Sequence, residues 1–197
     1  MLQLSQSKSN LTGTATFTAA DDITFISRRQ TDTLFSFSVD LSFQPKAGGE
    51  EAGISVFLTQ FQHIDLSIGI FGGLPTPQLR FRAEASGNPN ATAPTPEAVD
   101  IPASWRGDAI TLQVSTKNNV TYEFSAASSR DAKSVKVLGT ASAQIVSGGT
   151  GPFTGTLVGA FATSNGGNGS TKAYFGDWRD TPIAQQIDFH EYVPPRR

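Results

Sequence analysis

The chain has 197 residues, 38% hydrophobic, 16% charged and 10% aromatic, enough for one sizeable core and short for two ordinary domains. Its 15 Lys and Arg stand against 17 Asp and Glu, a net charge of −2, so no basic excess or basic run is present to neutralise the phosphates of nucleic acid or of an anionic membrane. With no cysteine, thiolate zinc sites, iron–sulfur clusters, disulfides and thiol nucleophiles are excluded, and no apolar run approaches the roughly 18 residues of a membrane-spanning helix.

Strict apolar/polar alternation dominates from the N-terminus onward. Strands are predicted over residues 14–18, 23–27 and, most clearly, 34–43, where Phe35, Phe37, Val39, Leu41 and Phe43 alternate with Ser36, Ser38, Asp40 and Ser42. Further strands are predicted over 53–60, 62–70, 78–84, 110–115, 120–126, 134–139, 156–163, 173–178 and 186–192. Residues 72–75, 87–96 and 166–169 read as loops from their Gly, Pro and Asn content, and 85–102 is the longest and least core-like stretch. No segment of more than ten residues sustains a helical apolar stripe, so helix is confined to short turns. About a dozen short strands make an all-β antiparallel sandwich, one domain over 1–192 with a fraying tail at 193–197. The opening Met1 to Lys8 has no basic segment followed by an apolar one and is not read as a leader. Sequons at Asn10, Asn90, Asn119 and Asn168 nevertheless point to a secreted protein whose leader lies outside this chain.

Few residues suit catalysis. A serine triad needs a histidine base, only His63 and His190 exist, and no Gly-x-Ser-x-Gly elbow is present. His63 and Asp65 share a strand face without a third ligand spaced nearby; a calcium ion held by carbonyls and one aspartate would leave no pattern, so metal binding stays open. No cofactor is expected, since the glycines of 166–169 open toward a strand and not a phosphate-cradling helix. A glycosidase would need paired carboxylates; Glu50 and Glu51 point opposite ways from an extended chain and read as a solvated loop after Lys46-Ala47-Gly48-Gly49, and Glu84, Glu97, Glu123 and Glu191 are isolated.

Strand polar faces are more informative. In 62–70, Ile64, Leu66, Ile68 and Ile70 face one way and His63, Asp65 and Ser67 the other; in 78–84, Leu79, Phe81 and Ala83 oppose Gln78, Arg80, Arg82 and Glu84. Side by side, these strands gather His63, Asp65, Arg80 and Arg82 on an outer face suited to sugar hydroxyls. With Ala173 and Phe175 inward, Tyr174 and Trp178 share the opposite face as a stacking surface, and Trp105, on the 102–107 loop, is a second stacking candidate. The competing reading is that these charges pair across strands, the aromatics cap a sheet edge and Trp105 closes one end of the core.

Four ordered blocks carry a resemblance. They are Phe25-Ile26-Ser27-Arg28-Arg29-Gln30-Thr31 before the 35–43 strand; Glu51-Ala52-Gly53-Ile54-Ser55-Val56-Phe57 followed by His63-Ile64-Asp65-Leu66; the Gly155 to Gly167 stretch; and Ala173-Tyr174-Phe175-Gly176-Asp177-Trp178-Arg179-Asp180-Thr181. Over about residues 2–188 the chain resembles the concanavalin A-like C-terminal domain of family 43 glycoside hydrolases, the β-xylosidase and arabinofuranosidase group, in its fungal form. The resemblance implies a two-sheet jelly-roll sandwich behind a five-bladed propeller that holds the catalytic acids, so this chain would not hydrolyse glycosides alone. It implies a non-catalytic module with two partners, a xylan- or arabinoxylan-type polysaccharide and the propeller. The alternative is an accessory domain that stabilises the propeller and its active-site rim without binding sugar, which an exposed apolar patch near residues 28–34 would favour. Arg28, Arg29, Gln30 and Thr33 would face the propeller; many relatives place a rim phenylalanine shortly after the Arg-Arg-Gln motif, and Thr33 stands there in this chain.

Overall fold

Alternating residues at a period of two bury one set and expose the other only in extended chain, and the segment 34–42 does so residue by residue. The computed structural model describes residues 1–13, 18, 21–73, 75–151 and 155–195. Its strands are β1 (Leu2–Leu4), β2 (Thr24–Arg29), β3 (Leu34–Ser42), β4 (Glu51–Thr59), β5 (Gln62–Gly69), β6 (Gln78–Glu84), β7 (Glu97–Asp100), β8 (Ile110–Asn118), β9 (Thr121–Ser128), β10 (Asp131–Ser142), β11 (Leu157–Thr163), β12 (Ala173–Asp188) and β13 (Glu191–Val193). Helix is limited to single 3-10 turns at Ala103–Trp105 and Ala143–Val146 among the described residues.

Two antiparallel sheets form the sandwich. One has the order β1-β12-β3-β8-β9-β10 with β13 on β12; the other has the order β2-β11-β4-β5-β6-β7. Phe35, Phe37, Val39 and Leu41 of β3 and Leu112 and Val114 of β8 meet Ile54 and Val56 of β4, Ile64, Leu66 and Ile68 of β5 and Leu79 and Phe81 of β6 in the core between them. At one edge Arg28 of β2 pairs with Asp180 of β12 at 2.6 Å and ties the two sheets together.

Several boundaries differ from the sequence reading. Residues 97–100, within the expected long loop, pair with β6 as the edge strand β7. The 186–192 strand is not one element: β12 runs on to Asp188, turns at Phe189-His190, where His190 has φ 61°, and returns as β13, which takes Val193 out of the expected tail. The 14–18 strand lies, but for Thr18, outside the described residues.

Close strand approach sets one sharp requirement. A Cβ at Gly53 would stand 2.2 Å from the Leu66 carbonyl oxygen, whereas one at Gly176 would meet nothing within 4 Å. Gly53→Ala is therefore expected to destabilise by about 1–3 kcal/mol and Gly176→Ala by less than about 0.5 kcal/mol, read as urea midpoints at constant m-value.

Candidate functional site

The sequence reading places His63, Asp65, Arg80 and Arg82 on one face, and the register confirms it: Asp65 pairs with Arg82, Ser67 with Arg80 and His63 with Glu84. That face is filled by its own ion pairs instead of lying open. Glu51 accepts from Arg80 at 2.6 Å, from Ser67 at 2.6 Å and from Asn165 at 2.8 Å. Asp65 pairs with Arg82 Nε at 3.0 Å, and its two oxygens lie 3.1 and 2.9 Å from His63 Nδ1. A carboxylate only accepts, so Nδ1 carries the proton of that bond. His63, Asp65 and Glu51 are wholly buried.

Two things cover them. The N-terminal segment crosses the face, with buried Leu11, the Thr12 hydroxyl 3.0 Å from His63 Nε2, and Asn10 donating to Asn165 at 2.9 Å. Aromatic rings flank it: Phe57 stacks on His63 at 5.8 Å, Phe25 tilts onto Phe57 at 5.4 Å, and the Arg80 guanidinium sits 3.8 Å over the Phe71 ring. Burial alone would raise the Asp65 pKa, but the charges of His63 and Arg82 and the hydrogen bond from His63 outweigh it and hold the carboxyl at about 2. The expected open sugar-binding array is thus corrected to a structural network whose histidine and carboxylates are buried, with only Arg80 and Arg82 reaching solvent in part.

Glu50 and Glu51 are likewise not a solvated loop. They do point opposite ways, Glu51 into the network above and Glu50 into a knot of backbone donors. Glu50 accepts from the N–H groups of Lys46 at 2.6 Å, Ala47 at 3.2 Å, Ser170 at 2.9 Å and Thr171 at 3.0 Å, and from the Thr171 hydroxyl at 2.8 Å. Burial pushes its pKa up, and the Lys46, Thr171 and Ala47 donors more than reverse it, leaving it below the usual carboxylate range.

The aromatic candidates separate. Tyr174 pairs with Ser42 on the outward side, but a bulge at Asp177, with φ 44°, inserts an extra residue before Arg179 pairs with Ser38. Trp178 therefore lands on the inner side at the sheet edge, its ring edge-on to core Phe37 at 5.0 Å, and does not share a face with Tyr174. Trp105 is 4% exposed and belongs to the core, so it offers no stacking surface to solvent.

The Arg28–Thr33 segment is held from within. Arg28 bonds Asp180, Gln30 accepts from the Tyr122 hydroxyl at 2.8 Å, and the Thr33 hydroxyl accepts from Gln186 N–H at 3.1 Å while its own N–H donates to Gln185 Oε1 at 3.2 Å. Only Arg29 lies exposed and without a side-chain bond among the described residues. Thr33 thus pins the long β12 extension, where Ile183 and Ile187 are exposed, as are Phe189 in the following turn, to 82%, and Tyr192 on β13. A cavity of about 320 Å³ separates Thr31 and Asp32 from Gln185 and Ile187. Among the sequons, Asn90 and Asn168 are exposed, Asn119 is exposed but donates its amide to Gln186 at 2.8 Å, and Asn10 spends its amide on Asn165 and its carbonyl on Gly13 N–H. No group of three or more His, Asp or Glu gathers for a metal ion among the described residues.

Comparison with known proteins fits this architecture. Residues 2–180 match the family described as the beta xylosidase C-terminal concanavalin A-like domain, and the chain belongs to that family. It is 33% identical over 172 residues to the non-reducing end alpha-L-arabinofuranosidase BoGH43B of Bacteroides ovatus, covering 86% of this chain and 30% of that protein. Among solved structures it resembles the GH43 protein BlXynB of Bacillus licheniformis, with TM-score 0.74, 22% identity and coverage of 92% of this chain and 32% of that one. A functionally unknown protein of Saccharomyces cerevisiae has TM-score 0.66 and 17% identity over 91% of this chain and 86% of its own length. The chain therefore spans about a third of the enzymes it matches, and most of the yeast protein.

A depressed carboxyl contributes stability that is present above its unfolded pKa near 4 and is lost as pH falls through its folded value of about 2. This buried group should account for about 2 kcal/mol of the acid-side loss. Urea unfolding followed from about pH 5 down to pH 2 should show that loss in the native chain, and Asp65→Asn should be less stable at pH 5 with a flatter acid limb.

Proposed function

We propose that the chain is a non-catalytic accessory module that packs against the catalytic propeller of a family 43 glycoside hydrolase and keeps that propeller in its working form. The observation carrying this reading is the apolar end of the sandwich, where Ile183, Ile187, Phe189 and Tyr192 stand in solvent beside the 28–33 segment. Scattered single apolar residues are ordinary on a surface, but three on one projecting hairpin with Ile183 at its base are of the sort that an interface covers. The hairpin lies past the residues matched to the family, so it extends the end at which the family resemblance puts the propeller.

The arabinofuranosidase relative and the beta xylosidase of the family's description make a propeller active on xylan- or arabinoxylan-type polysaccharide the proposed partner. Thr33 hydrogen-bonds back into the module, leaving Phe189 and Tyr192 as exposed aromatics at this end. Exposed Asn90, Asn119 and Asn168 support a secreted setting. Sugar recognition by the module itself needs a surface other than that of His63, Asp65, Arg80 and Arg82, because that face is occupied by its own ion pairs.

A domain swap tests the docking role. With the C-terminal region of the Bacteroides ovatus arabinofuranosidase replaced by this chain, the chimera should outlast the truncated enzyme at elevated temperature, and Ile187→Asp with Phe189→Asp should shorten its activity half-life by about tenfold. The isolated module carrying both substitutions should unfold at its usual temperature. A truncated enzyme as long-lived as the chimera, or a chimera indifferent to both substitutions, would refute the role.

A further inference from the structure

We propose that the end of the sandwich opposite the apolar hairpin is a binding groove for uronic acid-bearing glycan. Two cavities meet there, of about 520 and 380 Å³, sharing Phe43, Gln44, Gly107 and Asp108 as common wall. Together they have the size of sites that hold small organic ligands. The separation from the docking end follows from β3, whose nine residues span about 30 Å. Leu34 pairs with Ala184 at the hairpin end and Ser42 with Tyr174 at the groove, so both ends are usable at once.

The larger cavity combines three features. Tyr174, 38% exposed, presents its ring on the outward side of β12 as an apolar platform for a pyranose face. Among the described residues Lys46 and Lys172, which line the same cavity, have no carboxylate partner: Lys172 Nζ donates to Ser5 Oγ at 2.7 Å, and the Lys46 ammonium makes no bond. Of the two acids in the groove walls, Asp108 is engaged by Arg130 at 3.0 Å and the Ser128 hydroxyl at 2.6 Å, and Asp100, in the smaller cavity, accepts from the Gln78 amide at 3.0 Å. Two lysines without an ion-pair partner among the described residues thus line a cavity in a chain of net charge −2, with exposed Gln44 beside them.

The groove is also built in advance. Glu50, buried beneath it, binds the Lys46–Ala47 wall and the Ser170–Thr171 wall through its two carboxylate oxygens, so little of the frame has to order when a ligand arrives. A ring platform with an amide suits a sugar, and paired ammonium groups select a sugar carboxylate over a neutral hydroxyl array, because the charge-assisted bond is roughly twice as strong. The choice of glycan over other anions rests on the reading of the module as companion to a glycan-active enzyme. The groove test uses the isolated chain, so its failure is distinct from failure of docking.

The experiment is isothermal titration of the full chain with soluble glucuronoxylan, with the same polymer after reduction of its carboxyl groups to alcohols, and with neutral arabinoxylan. Glucuronoxylan should bind about tenfold more tightly than the other two and weaken severalfold between about 50 and 500 mM NaCl. Tyr174→Ala and the double variant Lys46→Ala/Lys172→Ala should each lose about fivefold or more, with thermal midpoints unchanged. Equal affinity for native and carboxyl-reduced polymer, no binding to any of the three, or binding that survives both variants would overturn the proposal.

Discussion

The pairing of Glu51 with Arg80 and of Asp65 with Arg82 on the outer side of the second sheet governs what surface the molecule can offer. Removing four charges from water is costly unless each finds partners in good geometry. Here Ser67, Asn165 and His63 complete the two carboxylates, and the segment carrying Leu11 and Thr12 closes over the result. The central strands β11, β4 and β5 are thereby buried on both sides, by the inter-sheet core on one and by a polar second core on the other. A sandwich usually offers an open face for ligands, and this one has spent it on stability.

Function then falls to the two ends. At one, Thr33 fastens the β12 extension, whose hairpin and base hold four apolar side chains in water; at the other, Glu50 fixes two loops around Tyr174 and a pair of lysines without a carboxylate partner among the described residues. Glu50, beneath the groove, and Glu51, on the outer face, are each saturated with donors. A module that contacts a catalytic domain at one end and its polymer at the other would keep the two within about 30 Å of each other, which raises the local concentration of substrate at the enzyme.

The sequence carried the sandwich, the residues facing its core and the company kept by His63, Asp65, Arg80 and Arg82, because a period of two fixes both face and neighbours once strands pair. It did not show that this face is covered, since Thr12 lies 51 residues from His63 along the chain and its segment has no pattern tying it there. Glu50 and Glu51 looked like solvated loop residues because adjacent acids after a glycine turn usually are; their partners Thr171 and Asn165 stand 121 and 114 residues away. Trp178 was placed on the wrong side of β12 because one positive-φ residue, Asp177, reverses the parity that alternation assumes. Trp105 followed the competing reading, a large ring closing the core.

The account stands most directly on the closure of the outer face, and the His63 ring reports it. In a nitrogen-15 NMR spectrum of the chain, the Nδ1 proton held between His63 and Asp65 should be visible and slow to exchange with water, and should not shift when xylo-oligosaccharides are added. A ring proton lost to fast solvent exchange, or one that shifts as sugar is titrated in, would mean that the face is open and binds ligand, and would contradict the account.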